Sequence, residues 1–152
     1  MVEKENASEE VLTSIPHRSP FLFVDCVLAL TDTSITAERV LKTDEFFFKG
    51  HYPQMPLMPG VLMCEAIFQT AGVFMRQKLL DLKDLEGKVP VLTRIESARF
   101  KNMAFPGDRL TLEANFTQKI KDFYFFKGAA RKEGQLLVSV EFVLGMVKAL
   151  NL

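Results

Sequence analysis

The sequence predicts an α+β domain in which one long helix packs against an antiparallel sheet of about six strands. The 152 residues are 48% apolar and 25% charged, the balance of a single globular unit, residues 1–152, with one core. One stretch, from Pro59-Gly60 to about Leu80, carries apolar residues at helical spacing. Most of the remaining chain alternates, or runs in β-forming residues, between short turn signals.

Residues 1–11 open the domain as an acidic, polar head that is expected to be flexible. Ser8 is a candidate N-cap for one or two helical turns that place Val11, Leu12 and Ile15 on one face, and Pro16 ends them. His17 is expected to fix the turn into the first strand. Residues 21–30 and 35–41 then read as an antiparallel pair joined through Thr31-Asp32-Thr33-Ser34. From Asp44 to Gly60 the chain holds three of its seven prolines and two of its eight glycines, which excludes regular helix or central strand and predicts an ordered, extended loop. The long helix follows over 61–80, with Leu62, Ala66, Ile67, Thr70, Ala71, Phe74 and Leu79 at helical spacing. Its flanks are apolar too, so it is expected to be buried on most sides, and Glu65 and Gln69 stand out on it. Strands over 89–100, 109–120, 122–131 and 135–147, separated by turn residues, complete the sheet.

Several function classes are excluded at once. Nineteen Lys and Arg balance nineteen Asp and Glu, without the basic excess of a nucleic-acid binder. Cys26 and Cys64 form neither a CxxC pair nor a cluster with histidine, so a disulfide framework or metal site has no support and a reducing cytoplasmic compartment is expected. The polar N-terminus does not read as a secretory signal, and no apolar run approaches the roughly 20 residues of a membrane span. Neither a GxSxG elbow nor a GxxxxGK loop occurs. Fourteen Phe and seven Met fill space between helix and sheet with large, adaptable side chains, which also suit a long apolar ligand.

The chain has two histidines, and His51 is the better catalytic candidate because Gly50-His51-Tyr52-Pro53 lies in the irregular loop. Fourteen positions further on, Glu65 sits in the apolar helix, where ionisation is costly and a proton-donating role is favoured. His and Glu can divide base and acid work. The first amides of the helix, at Gly60 and Val61, can polarise a carbonyl oxygen, and Gly60 lets a substrate approach closely. These parts suit proton abstraction α to a carbonyl with departure of a β-substituent. Gln69, one turn below Glu65, either hydrogen-bonds its carboxyl or satisfies nearby backbone. Cys64 points to another face of the helix and reads as a small buried hydrophobe.

In these residues the chain resembles the 3-hydroxyacyl-acyl carrier protein dehydratases, the FabZ-like branch of the hotdog fold. Ile15-Pro-His-Arg-Ser-Pro-Phe-Leu-Phe-Val-Asp25 is similar to the family's opening block, and Phe47-Phe-Lys-Gly-His-Tyr-Pro, Pro59-Gly-Val-Leu and Glu65-Ala-Ile-Phe-Gln69 to its active-site block. Ala98-Arg-Phe-Lys with Pro106-Gly-Asp108 forms a third. The resemblance implies a long central helix wrapped by a curved antiparallel sheet. It also implies a homodimer that pairs His51 of one chain with Glu65 of the other, with a trimer of dimers as a common larger assembly. The histidine would take the C2 proton, the carboxyl would protonate the departing hydroxyl, and the Gly60 amide would hold the thioester carbonyl, without cofactor or metal. Glutamate rather than aspartate at position 65 implies a dehydratase without isomerase activity. Gln54-Met55, Ser19 and Thr93-Arg94 depart from the family pattern at places expected to shape the acyl tunnel. The acidic carrier partner implies a basic patch at the tunnel mouth, including Arg99 and Lys101. The rival readings are a hotdog-fold thioesterase, separable by its free thiol product, and a non-catalytic acyl-binding subunit, against which the presence of both His51 and Glu65 argues.

Overall fold

The computed structural model describes residues 6–149. The first helix, α1 (Glu9–Ser14), is capped by Ser8, whose side chain accepts a hydrogen bond from the Val11 N–H. The Ser8 N–H in turn donates to the Asp25 carbonyl at 2.7 Å, and Val11 is fully buried. Residues 8–11 of the head expected to be flexible are therefore fixed by a cap and a core contact, while residues 1–5 lie outside the described residues.

Six strands follow: β1 (Cys26–Leu30), β2 (Ser34–Val40), β3 (Lys88–Phe100), β4 (Arg109–Ile120), β5 (Phe123–Lys132) and β6 (Gln135–Lys148). They form one sheet in the order β1-β2-β4-β5-β6-β3, antiparallel at every step. Residues 21–25, expected within the first strand, stand outside it. Leu22, Phe23 and Val24 are buried, and the backbone of Phe21 and Phe23 is satisfied by the Gln69 side chain instead of a neighbouring strand. In the extended loop, Phe46–Lys49 makes a 3-10 turn that buries Phe47 and Phe48, a regular piece that its proline and glycine content did not announce.

The long helix, α2 (Gly60–Phe74), lies against one face of the sheet and is buried along most of its length, as its apolar flanks require. Its regular α form ends at Phe74, before the expected Leu80, and the chain widens into a π turn over Met75–Leu79. A short helix, α3 (Leu82–Leu85), follows behind a reciprocal Asp81–Asp84 capping box. α2 packs tightly on the sheet at Gly128 in β5. A Cβ there would overlap Ile67 Cγ2 and stand 2.9 Å from the Glu113 carbonyl oxygen. Around it the rings of Phe68, Phe126 and Phe142 stack or tilt together with centroids 4.6 to 5.5 Å apart.

β3 is an edge strand of thirteen residues, and along it Val89, Val91, Leu92, Ile95 and Phe100 are exposed. A long apolar edge of this kind invites pairing with another chain. Thr93, one of the departures expected to shape a tunnel, lies at a bulge, where its hydroxyl donates to the Val143 carbonyl at 3.1 Å. Gly145 leaves room for it, since a Cβ there would stand 2.7 Å from Thr93 Cγ2.

Candidate active site

His51 is placed by the 3-10 turn before it, where its N–H donates to the Phe47 carbonyl at 3.0 Å. Tyr52 follows in the left-handed region at φ 56°, a conformation rare for an aromatic residue that bends the chain away and leaves the imidazole at a cavity. The imidazole Nδ1 lies 2.8 Å from the Leu57 carbonyl. A carbonyl only accepts, so Nδ1 carries the proton and Nε2 keeps its lone pair. The cavity holds about 420 Å³ and is bounded by Met58, Gly60, Val61, Phe100 and Met103 as well as His51. The Gly60 and Val61 N–H groups open α2, where the helix has no internal acceptor for them, and among the described residues they make no hydrogen bond.

Glu65 and Gln69 lie further along α2 and face a different cavity of 220 Å³, lined also by Ile15, His17, Gly72, Val91 and Leu92. Glu65, expected on an apolar helix, has a side chain that is 23% exposed and faces this largely apolar cavity. Gln69 is 2% exposed and fills both of the roles left open for it. Its Nε2 donates to Glu65 Oε1 at 3.0 Å and to the Phe21 carbonyl at 2.9 Å, and its Oε1 accepts from the Phe23 N–H at 2.8 Å.

His17 is a site neighbour that sequence reasoning missed. Its Nε2 stands 3.6 Å from Glu65 Oε1, and burial, the largest influence, lowers its pKa against the opposing pull of Glu65. The turn it was expected to fix is instead held by Arg18, whose guanidinium donates to the carbonyls of Leu12, Ile15 and His17. A Pro-x-x-x-Pro stretch in which the only other histidine follows a proline is the signal that was there to be read. Cys64, as expected, is buried, and burial pushes its thiol up to about 11.

Within one chain the structure brings His51 together with Gly60 and Val61, and Glu65 together with Gln69 and His17. It does not join the two groups, whose cavities have no lining residue in common. β3 borders both, the first through Phe100 and the second through Pro90, Val91 and Leu92.

A model of the FabA-like domain matches residues 15–141. Among curated proteins, the 3-hydroxyacyl-[acyl-carrier-protein] dehydratase FabZ of Petrotoga mobilis is 42% identical over 142 residues, covering 93% of this chain and 98% of its own. The protein of the same name from Aromatoleum aromaticum is 38% identical over 138 residues, covering 90% and 94%. Among solved structures, the dehydratase heterocomplex ApeI:P from Xenorhabdus doucetiae superposes with a TM-score of 0.73 at 17% identity, over 93% of this chain and 91% of that one. That likeness shows the fold, a hotdog in which the curved sheet wraps the long helix. The family model and the curated relatives together extend over both halves of the site, and the chain accordingly belongs to the FabA-like family, within its FabZ 3-hydroxyacyl-[acyl-carrier-protein] dehydratase branch.

Proposed function

We propose that the protein removes water from a (3R)-3-hydroxyacyl thioester carried on acyl carrier protein, giving the trans-2-enoyl thioester in fatty acid biosynthesis. His51 Nε2, left basic by the Nδ1–H bond to Leu57, takes the C2 proton. Negative charge developing on the thioester oxygen meets the unpaired amides of Gly60 and Val61 at the positive end of α2. The C3–O bond then breaks and Glu65 gives its proton to the departing hydroxyl, which leaves as water. Return of the proton from His51 to Glu65 closes the cycle.

The observation that carries this reading is the division of the acid and base between two cavities of one chain that are bordered by the same edge strand. Antiparallel pairing of β3 with β3 of a second copy, about a two-fold near Glu96, sets Phe100 of one copy opposite Leu92 of the other. The His51 cavity of one copy then meets the Glu65 cavity of its neighbour, and the exposed apolar residues of β3 are covered. A homodimer with two shared sites follows, and it can assemble further as a trimer of dimers. Arg99 and Lys101, exposed at the far end of β3, are suited to an acidic carrier protein. No helix among the described residues is long and apolar enough to cross a membrane, and both cysteines are free, which fits a cytoplasmic enzyme.

Purified protein incubated with 3-hydroxyacyl-carrier protein substrates of several lengths, followed by intact mass spectrometry, tests the reading. Loss of water is expected, reduced at least about 10²-fold in both His51→Ala and Glu65→Ala. Release of free carrier thiol supports a thioesterase instead, and no change with any substrate supports an acyl-binding subunit.

A further inference from the structure

Glu65 has two carboxyl oxygens in unlike settings. Oε1 takes a hydrogen bond from Gln69 at 3.0 Å and has His17 Nε2 at 3.6 Å, whereas Oε2 makes no hydrogen bond among the described residues. His17 and Glu65 line the same cavity, His17 from the segment after α1 and Glu65 from α2. The other ring nitrogen of His17, Nδ1, is buried and has no hydrogen-bond partner. A buried N–H without an acceptor costs more than an under-satisfied lone pair, so Nδ1 is the bare nitrogen and Nε2 carries the proton. That nitrogen stands across a gap from Oε1. At 3.6 Å it is too long for a hydrogen bond, and a small rotation of either side chain closes it, as catalytic contacts commonly close when substrate arrives.

Resting on the dehydratase reading above, we propose that His17 is a positioning residue: with Gln69 it holds Glu65 Oε1 as the carbonyl-like oxygen and leaves Oε2 to carry the proton given to the departing hydroxyl. A carboxylic acid with both donors on one oxygen delivers its proton from the other, toward the cavity. Neutral His17 serves this arrangement and protonated His17 opposes it, because a cation at 3.6 Å holds Glu65 as the carboxylate and removes the acid. Burial favours the neutral form, since it lowers the His17 pKa more than Glu65 raises it. The charged groups acting on His17 are Glu65 from α2 and Arg18 beside it, and β3 presents only Pro90, Val91 and Leu92 to this cavity. In the paired assembly His51 of the second copy joins them.

Kinetics and proton NMR test the proposal together. His17→Ala is expected to lower kcat for a carrier-bound 3-hydroxyacyl substrate by about tenfold or more with little change in KM. His17→Gln, whose side-chain N–H can reach Oε1, is expected to recover most of the loss. The acid limb of the kcat profile is expected to be shallower in His17→Gln than in wild type, because one inhibitory protonation is gone. With two histidines, the imidazole signals are assigned by comparison with His51→Ala, and Glu65→Gln is expected to lower the His17 titration further. An unchanged kcat in His17→Ala, a folded His17→Gln that gives no recovery, or a His17 titration indifferent to Glu65→Gln overturns the proposal. The titration needs no turnover, so it decides the His17–Glu65 coupling even if the wild type dehydrates none of the substrates, an outcome that defeats the dehydratase reading itself.

Discussion

Gln69 lies one turn beyond Glu65 on α2 and divides its amide between two tasks, holding Glu65 Oε1 at 3.0 Å while it satisfies the backbone of Phe21 and Phe23. The segment entering β1 and the carboxyl of the site are thereby fixed by one side chain. Gln69→Leu leaves a buried N–H and a carbonyl without partners, at a cost of about 1–3 kcal/mol for each group fully deprived. Urea unfolding is expected to show the loss in stability, and the dehydration assay a loss of kcat beyond it at temperatures where the variant is folded. Full stability in Gln69→Leu would contradict the structural role.

Gly60 separates activity from stability. A Cβ at this position would stand 2.6 Å from Phe100 Cδ1, but Phe100 is exposed and its ring can swing aside, and alanine suits a helix better than glycine. Gly60→Ala is therefore expected to stay within about 1 kcal/mol of wild type in stability. The displaced ring and the added methyl crowd the amides proposed to meet the thioester oxygen, so kcat is expected to fall about tenfold or more. Steady-state kinetics beside a denaturation curve checks both halves.

The thiols give a reading of the core. Burial pushes Cys64 up to about 11, and Cys26 is raised by burial and by Glu38 and Asp25 beside it. The thiolate is the reactive form, so a disulfide reagent at neutral pH is expected to leave Cys64 untouched until denaturant is added. Cys64→Ala is expected to leave the native-state signal unchanged.

His17 also makes stability depend on pH. Its folded pKa lies below its ordinary 6.5, so the unfolded chain binds the proton more readily between the two values. The stability this contributes is present above 6.5 and is lost as pH falls through that value toward the folded pKa. Relative to His17→Gln, the wild type is expected to lose urea midpoint on going from above pH 7 to about 5.5. A midpoint difference that is constant over that range would show that His17 is not held neutral by the fold.

The strands after the long helix were legible in the sequence almost to the residue, because Leu110, Leu112 and Ala114, and Val138, Val140 and Phe142, alternate cleanly and are bounded by Pro-Gly and Glu-Gly turns. Before the helix the reading was coarser. Residues 21–25 carry a β-like apolar run, but a side chain 46 positions away supplies the hydrogen bond that a strand would have supplied, and no local pattern reveals it. The π turn after Phe74 was invisible for a related reason, since helical periodicity drifts little over its five residues. His51, Glu65, Gly60 and Gln69 were singled out as candidates through residue type and spacing. His17 was not, because its relation to Glu65 is set by the packing of the segment after α1 on α2, a contact across 48 positions of chain.

Complementation between inactive variants tests the central claim most directly. His51→Ala and Glu65→Ala are each expected to fail in the dehydration assay alone, since every shared site lacks one member. When equal amounts are unfolded and refolded together, about half the dimers are mixed and each mixed dimer holds one intact site, so about a quarter of wild-type activity is expected to return. Water loss restored to that level places His51 and Glu65 of different copies in one site. Mixed dimers confirmed by mass spectrometry that restore no activity would contradict the account.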